Sequence, residues 1–67
     1  MAHLNRLRCI MMEHDVTPVL LAKKLDLSRA AIYRRLNGQV AFTLREIRIL
    51  IRILSLSMED VHYIFFG

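Results

Sequence analysis

The feature that most constrains this chain is a pair of helix-start signals that lie eleven residues apart. Thr17 precedes Pro18, and Ser28 precedes Arg29. A hydroxyl side chain before a helix caps free backbone N–H groups, and proline is favoured at the first helical position. Only two residues lie between the apolar segment of the first helix and the second cap. The sequence therefore predicts two short helices joined by a tight turn.

The apolar residues of each predicted helix fall on one face. Leu21, Ala22 and Leu25 share a face of the first helix, and Ile32 and Leu36 share a face of the second, which runs over about 29–36. The pair can pack on a common core while the second helix turns its opposite side to solvent. That outward side carries Arg29, Ala30, Tyr33, Arg34 and Asn37.

Positive charge is concentrated in the same segment. The chain has a net charge of +4 and a pI near 10.0. Residues 17–38 hold five positive side chains and one negative side chain, which accounts for the whole excess. Such an excess is typical of proteins that bind a polyanion, either nucleic acid or an anionic membrane surface.

The motif L-A-K-K-L-x-L-S-R-x-x-I, followed by N-G, resembles the helix-turn-helix of the lambda repressor and Cro-like group. The resemblance covers roughly residues 4–66. The phrases Y-R-R-L-N-G and F-T-L-R-E-I and the ending I-F-F are similar to small phage-type members. The resemblance implies an all-α fold, a compact five-helix bundle in which helices 2 and 3 form the helix-turn-helix. We expect one domain over residues 1–67.

Apolar periodicity predicts a first helix from about His3 to His14. Asp15 and Asp26 stand at helix ends where the family commonly has glycine, because the residue after a helix end often adopts positive φ. Aspartate tolerates this conformation less well than glycine, so we expect a strained turn at Asp26. The expected inward residues of the first helix are Leu4, Leu7, Ile10 and Met11, with His14 as a further candidate.

Two capping boxes predict the remaining helices. Thr43 is followed three residues later by glutamate, a spacing in which each side chain satisfies a free backbone N–H group. It opens a fourth helix from Leu44 to about Leu54. Ser57 with Asp60 repeats the pattern and opens a fifth helix over about 58–65. The expected core residues of the fourth helix are Leu44, Ile47, Leu50, Ile51 and Leu54, while its arginines Arg45, Arg48 and Arg52 are expected in solvent.

A helix of this kind fits the major groove of DNA, with its first turns nearest the bases. The guanidinium groups of Arg29 and Arg34 are our candidates for reading guanine, since each can bond both acceptors of its edge. Ala30 is short enough to meet a thymine methyl group, and Tyr33 can reach a base edge or a phosphate. By resemblance, positions 29, 30 and 34 match the base-contacting sites of the family.

Backbone phosphates are contacted by groups that position the protein and carry no sequence information. The family usually has glutamine where Pro18 stands, so one phosphate anchor is missing and we expect modest DNA affinity. The phosphate-contacting candidates are Thr17, Pro18, Ser28, Asn37, Gly38 and Arg45.

One helix reads few bases, and the family normally binds paired half-sites as a symmetric dimer. The candidate homodimer interface is formed by Ile49, Ile53, Phe65 and Phe66, although the two phenylalanines also suit closure of the core. The expected partner is double-stranded operator DNA. Cys9 is the only cysteine, so no intrachain disulfide can form. Because we also expect no secretory leader, we predict that the protein is located in the bacterial cytoplasm.

The leading alternative is a helix-turn-helix protein that binds and modulates a repressor, as an antirepressor or co-repressor does. Pro18, Ala30 and Ala31 favour it, together with apolar Val19 and Leu20 where the family often has polar residues. Binding at a membrane surface is less favoured, because the basic residues lie opposite apolar residues that face the core. The pattern contains no catalytic constellation, so we expect no enzyme activity, metal, cofactor or small-molecule substrate.

Overall fold

The computed structural model describes residues 2–67, which form five α-helices. No strand occurs within these residues. The helices confirm the predicted all-α, five-helix fold. They are α1 (Leu4–Glu13), α2 (Pro18–Leu25), α3 (Arg29–Leu36), α4 (Leu44–Leu54) and α5 (Met58–Val61), and α5 continues directly into a π-helical segment (His62–Phe66).

The predicted caps begin four of the helices. The Thr17 hydroxyl accepts a hydrogen bond from the Leu20 N–H group, and the Ser28 hydroxyl accepts one from the Ala31 N–H group. Both halves of the two predicted capping boxes are formed, at the starts of α4 and α5. Because these contacts join residues three apart, the helix starts are fixed by local sequence.

Three helix ends place a residue other than glycine in the left-handed region. Asp15 has φ of 55°, Asp26 has φ of 57° and Ser55 has φ of 52°. The positive φ expected at both aspartates is confirmed, and Ser55 is a third position that the sequence did not reveal. Side chains other than glycine pay a steric cost in this region, so each position holds some strain.

The core draws fully buried side chains from α1, α2, α3, α4 and the π-helical segment. α3 contributes two of them on one face, so its outward face is fixed by its own packing. Residues with at most 2% exposure are Leu7, Leu21, Leu25, Ile32, Leu36, Leu50, Leu54 and Ile64.

The structure corrects two of the expected core positions. Leu44 is 62% exposed, because the side chain of the first helical residue projects back beyond the core and Phe42, in the preceding connection, is buried instead. His14 is exposed at the end of α1, where its ring nitrogen Nδ1 lies 3.0 Å from the Ile10 carbonyl oxygen. Ile51, like Leu4, is half-buried and packs against the core.

The predicted fifth helix also differs in its last turns, which are π-helical and end at Phe66. The carbonyl of Ile64 accepts a hydrogen bond from the His3 N–H group at 2.8 Å. The imidazole of His3 stacks on the ring of Tyr63, with centroids 4.2 Å apart. These contacts join the residue before α1 to the π-helical segment, a long-range pairing that helical periodicity does not encode.

Candidate nucleic-acid interface

The solvent face of α3 carries the four side chains predicted to read bases. Arg29, Ala30, Tyr33 and Arg34 are all exposed, and Tyr33 retains 41% of its accessible surface. The opposite face is held in the core by Ile32 and Leu36. No other described segment therefore covers this face of α3.

The candidate phosphate-contacting residues lie on the surface, at both ends of α3 and at the starts of α2 and α4. Pro18 is half-buried, while the other five are exposed. The Thr17 and Ser28 hydroxyls already accept the capping hydrogen bonds of α2 and α3. Gly38, just after α3, adopts φ of 81°, a conformation that favours glycine. The other candidates are Asn37 and Arg45.

Arg35 forms an ion pair that the sequence did not reveal. Its Nε donates to Oε1 of Glu46 at 2.8 Å, and the two side chains are only 15% and 5% exposed. The same oxygen of Glu46 accepts the Thr43 N–H group at 3.0 Å, so one carboxylate completes the capping box and binds α3 to α4. Arg35 therefore belongs to the packing of the fold, and the accessible cations of the helix-turn-helix are Lys23, Lys24, Arg29 and Arg34.

The environment of Glu46 favours its ionised form. Burial raises the pKa of this carboxyl, but the hydrogen bond from the Thr43 backbone and the contact with Arg35 together outweigh burial, so its pKa lies below the ordinary value. The carboxylate is therefore charged at neutral pH. It holds the start of α4 against α3 by electrostatic attraction as well as by geometry.

A sequence model of the helix-turn-helix family matches residues 7–61, most of the chain and all of α2 and α3. This chain belongs to the lambda repressor and Cro-like helix-turn-helix family. Membership of this family makes the chain a DNA-binding helix-turn-helix protein, in which α3 occupies the position of the recognition helix. No curated protein and no solved structure matches the chain significantly.

The helix-turn-helix is tied to α1 by a second contact that the sequence did not reveal. Nη2 of Arg8 donates to the Leu36 carbonyl oxygen at 3.0 Å and to Oδ1 of Asn37 at 2.7 Å. Arg8 is half-buried, unlike its exposed neighbour Cys9. Since the partners are 28 and 29 residues apart, no local pattern indicates the contact.

The candidate dimer residues do not share one environment. Ile49 and Ile53 are half-buried and pack against the core. Phe65 is also half-buried, and its ring meets that of Phe42 edge-on, with centroids 5.8 Å apart. Phe66 is 64% exposed. Phe65 and Phe66 line an apolar groove of about 210 Å³ together with Val40 of the α3–α4 connection.

Residues 2–67 contain neither a membrane-spanning helix nor a cluster of metal-ligating side chains. None of the helices described has both the length and the apolar character needed to cross a membrane. Within the same range, no three His, Cys, Asp or Glu side chains are grouped so that they would hold a metal ion. The surface that the geometry singles out is the outward side of α3.

Proposed function

We propose that this protein is a sequence-specific transcriptional regulator of the phage repressor or Cro type. It binds an operator by placing α3 in the major groove of duplex DNA. The observation that carries the proposal is the outward face of α3, where Arg29, Ala30, Tyr33 and Arg34 are exposed together. The inward face of the same helix is buried in the core, so the packing of the helix keeps these side chains turned to solvent.

Each of the four side chains has a chemical partner in the groove. Arg29, at the first position of α3, and Arg34 donate to the O6 and N7 acceptors of guanine, and each such contact contributes about 1–3 kcal/mol of discrimination. Ala30 packs against a thymine methyl group, and Tyr33 reaches a base edge or a phosphate. Arg35 reads no base, because its guanidinium is bound to Glu46.

Surface groups around α3 bind the backbone phosphates and set its register on DNA. The start of α2 contributes through Thr17, but Pro18 has no N–H group to donate. Ser28, Asn37 and Gly38 lie at the two ends of α3. Arg45, in the first turn of α4, adds a positive charge where the helix dipole also favours an anion.

The regulator acts as a homodimer on paired half-sites, in the cytoplasm of a bacterial host. The candidate seam comprises Ile49, Ile53, Phe65 and Phe66, and the exposed ring of Phe66 supports it most directly. A dimer doubles the number of bases read, which one short helix needs for useful specificity.

Selection of bound sequences from random duplex DNA tests the proposal, followed by binding measurements at several salt concentrations. A symmetric site bound in preference to other sequences is expected. Arg34→Ala should lose discrimination at one defined base pair. Arg45→Ala removes another exposed arginine and should weaken binding to all sequences alike. Binding without sequence preference by the wild-type protein would refute the proposal.

A modulator of another repressor is the second candidate function. It is favoured by apolar surface around Pro18, the position where the family usually has a phosphate-binding glutamine. Met12, Val19 and Leu20 are exposed there, and Pro18 borders a shallow cavity with Met12. Such a modulator binds a repressor protein and gives only weak, salt-sensitive binding to DNA of any sequence. The same selection experiment separates the two functions.

A further inference from the structure

Arg8 fixes the orientation of the Asn37 side chain at the end of α3. Nη2 of Arg8 lies 2.7 Å from Oδ1 of Asn37 and 3.0 Å from the Leu36 carbonyl oxygen. A guanidinium has hydrogen-bond donors and no acceptor, so the atom of Asn37 that faces it must be the amide oxygen. The amide NH₂ group of Asn37 is therefore turned away from Arg8.

This orientation limits what Asn37 can bind. An asparagine that reads adenine must accept a hydrogen bond from the N6 amino group while it donates to N7. Here the oxygen already accepts from a cation, and a second donor approaching it meets the positive guanidinium. The remaining NH₂ group suits a ligand with acceptors alone. Phosphate oxygens of the DNA backbone have this chemistry.

Arg8 also changes the electrostatics of the end of α3. The last carbonyl groups of a helix carry partial negative charge, which repels an anion. The bond from Arg8 to the Leu36 carbonyl offsets that charge where a phosphate would approach Asn37. Without a cation here, the end of α3 would be a poor place for a backbone phosphate.

The surroundings of the pair are open and positively charged. Arg8 and Asn37 line a groove of about 770 Å³ between α1 and the end of α3, together with Arg6 and Gly38. No aspartate or glutamate lines this groove, and Arg6 has only a distant ion pair with Asp60, at 3.8 Å. A phosphate entering the groove meets cations and amide donors.

We propose that Arg8 is a positioning residue for DNA binding, which holds Asn37 as a hydrogen-bond donor to a backbone phosphate at the end of α3. The inference rests on the DNA binding in the proposed function and adds a residue of α1 to the interface. It does not depend on which bases α3 reads.

A double-mutant cycle tests the inference on the full chain. Arg8→Gln and the matched control Arg6→Gln each remove one positive charge from the same groove, and each is made with and without Asn37→Ala. Affinity for one duplex is measured at several salt concentrations. Arg8→Gln should weaken binding roughly five- to tenfold more than Arg6→Gln. In the Asn37→Ala background the gap between the two variants should shrink, because the part of the Arg8 effect that passes through Asn37 is then absent and only its bond to the Leu36 carbonyl remains.

A spectroscopic measurement follows the same contact without DNA. In an NMR spectrum of ¹⁵N-labelled protein, Arg8→Gln should shift the side-chain NH₂ signals of Asn37, and Arg6→Gln should leave them in place. If Arg8→Gln fails to fold, variants at the exposed residues Asn37 and Gln39 test the inference instead. Asn37→Ala should then weaken DNA binding roughly five- to tenfold, while Gln39→Ala should not.

Three results would overturn the inference: equal effects of Arg8→Gln and Arg6→Gln in both backgrounds, unmoved Asn37 signals in Arg8→Gln, or equal effects of Asn37→Ala and Gln39→Ala. Wild-type protein that binds DNA without sequence preference refutes only the proposed function, and the cycle still decides the role of Arg8. Wild-type protein that binds no DNA refutes both.

Discussion

The buried carboxylate of Glu46 joins the start of α4 to α3, so its removal should destabilise the fold. One oxygen, Oε1, accepts the Thr43 N–H group at 3.0 Å and Nε of Arg35 at 2.8 Å. The side chain is only 5% exposed, so water cannot readily replace these partners. Glu46→Ala therefore removes half of a capping box and leaves Arg35 without its counterion.

The expected loss follows from these contacts. A hydrogen bond to a charged group contributes about 1.5–3 kcal/mol. Arg35 remains 15% exposed and regains some hydration when Glu46 is removed. The free energy lost with its hydrogen bond therefore lies at the lower end of this range. The two bonds together give about 3 kcal/mol, close to the range for breaking a buried pair. Glu46→Gln keeps an acceptor for both donors and loses only the charge, so we expect about 1 kcal/mol.

Urea denaturation followed by circular dichroism measures both losses. A domain of this size gains about 3–5 kcal/mol from its core, so Glu46→Ala should remain folded only marginally. Glu13→Ala, an exposed glutamate on α1, is the control and should change the unfolding free energy by less than about 0.5 kcal/mol. Similar small losses for Glu46→Ala and Glu13→Ala would refute the reasoning.

The same pair predicts a dependence on pH. The pKa of Glu46 is lower in the folded protein than in the unfolded chain, so its contribution is fully present above the ordinary glutamate pKa of about 4.3. The contribution is lost as pH falls through the folded-state pKa. The difference in unfolding free energy between wild type and Glu46→Gln should therefore shrink on acidification. A difference that stays constant from pH 7 to pH 3 would contradict this account.

Two further predictions concern the turn of the helix-turn-helix and the dimer seam. Asp26→Gly should raise the unfolding free energy by roughly 0.5–1 kcal/mol, because glycine relieves the left-handed strain; a lower melting temperature argues against it. Phe66→Glu should dissociate the proposed dimer in light scattering while Met58→Glu, at a similarly exposed position, should not. An unchanged mass for Phe66→Glu removes that residue from the seam.

The sequence by itself determined the helices and the side of α3 that faces solvent. Caps such as Thr17 and Ser28 act on N–H groups three residues away, and the 3.6-residue period assigns each side chain to a face. Both are properties of a single helix. The left-handed turn at Asp26 was predictable for the same reason, since it depends on the end of one helix.

Only the tertiary structure decided which charges are available to bind DNA. Arg35 resembles its exposed neighbour Arg34 in sequence, yet the packing of α3 on α4 pairs it with Glu46. In the sequence, Arg8 resembles any solvated helical arginine. Only the packing of α1 beside the end of α3 gives it its partners Leu36 and Asn37. These partners are set by the distance between helices after the core has formed, and a one-dimensional pattern contains no such distance.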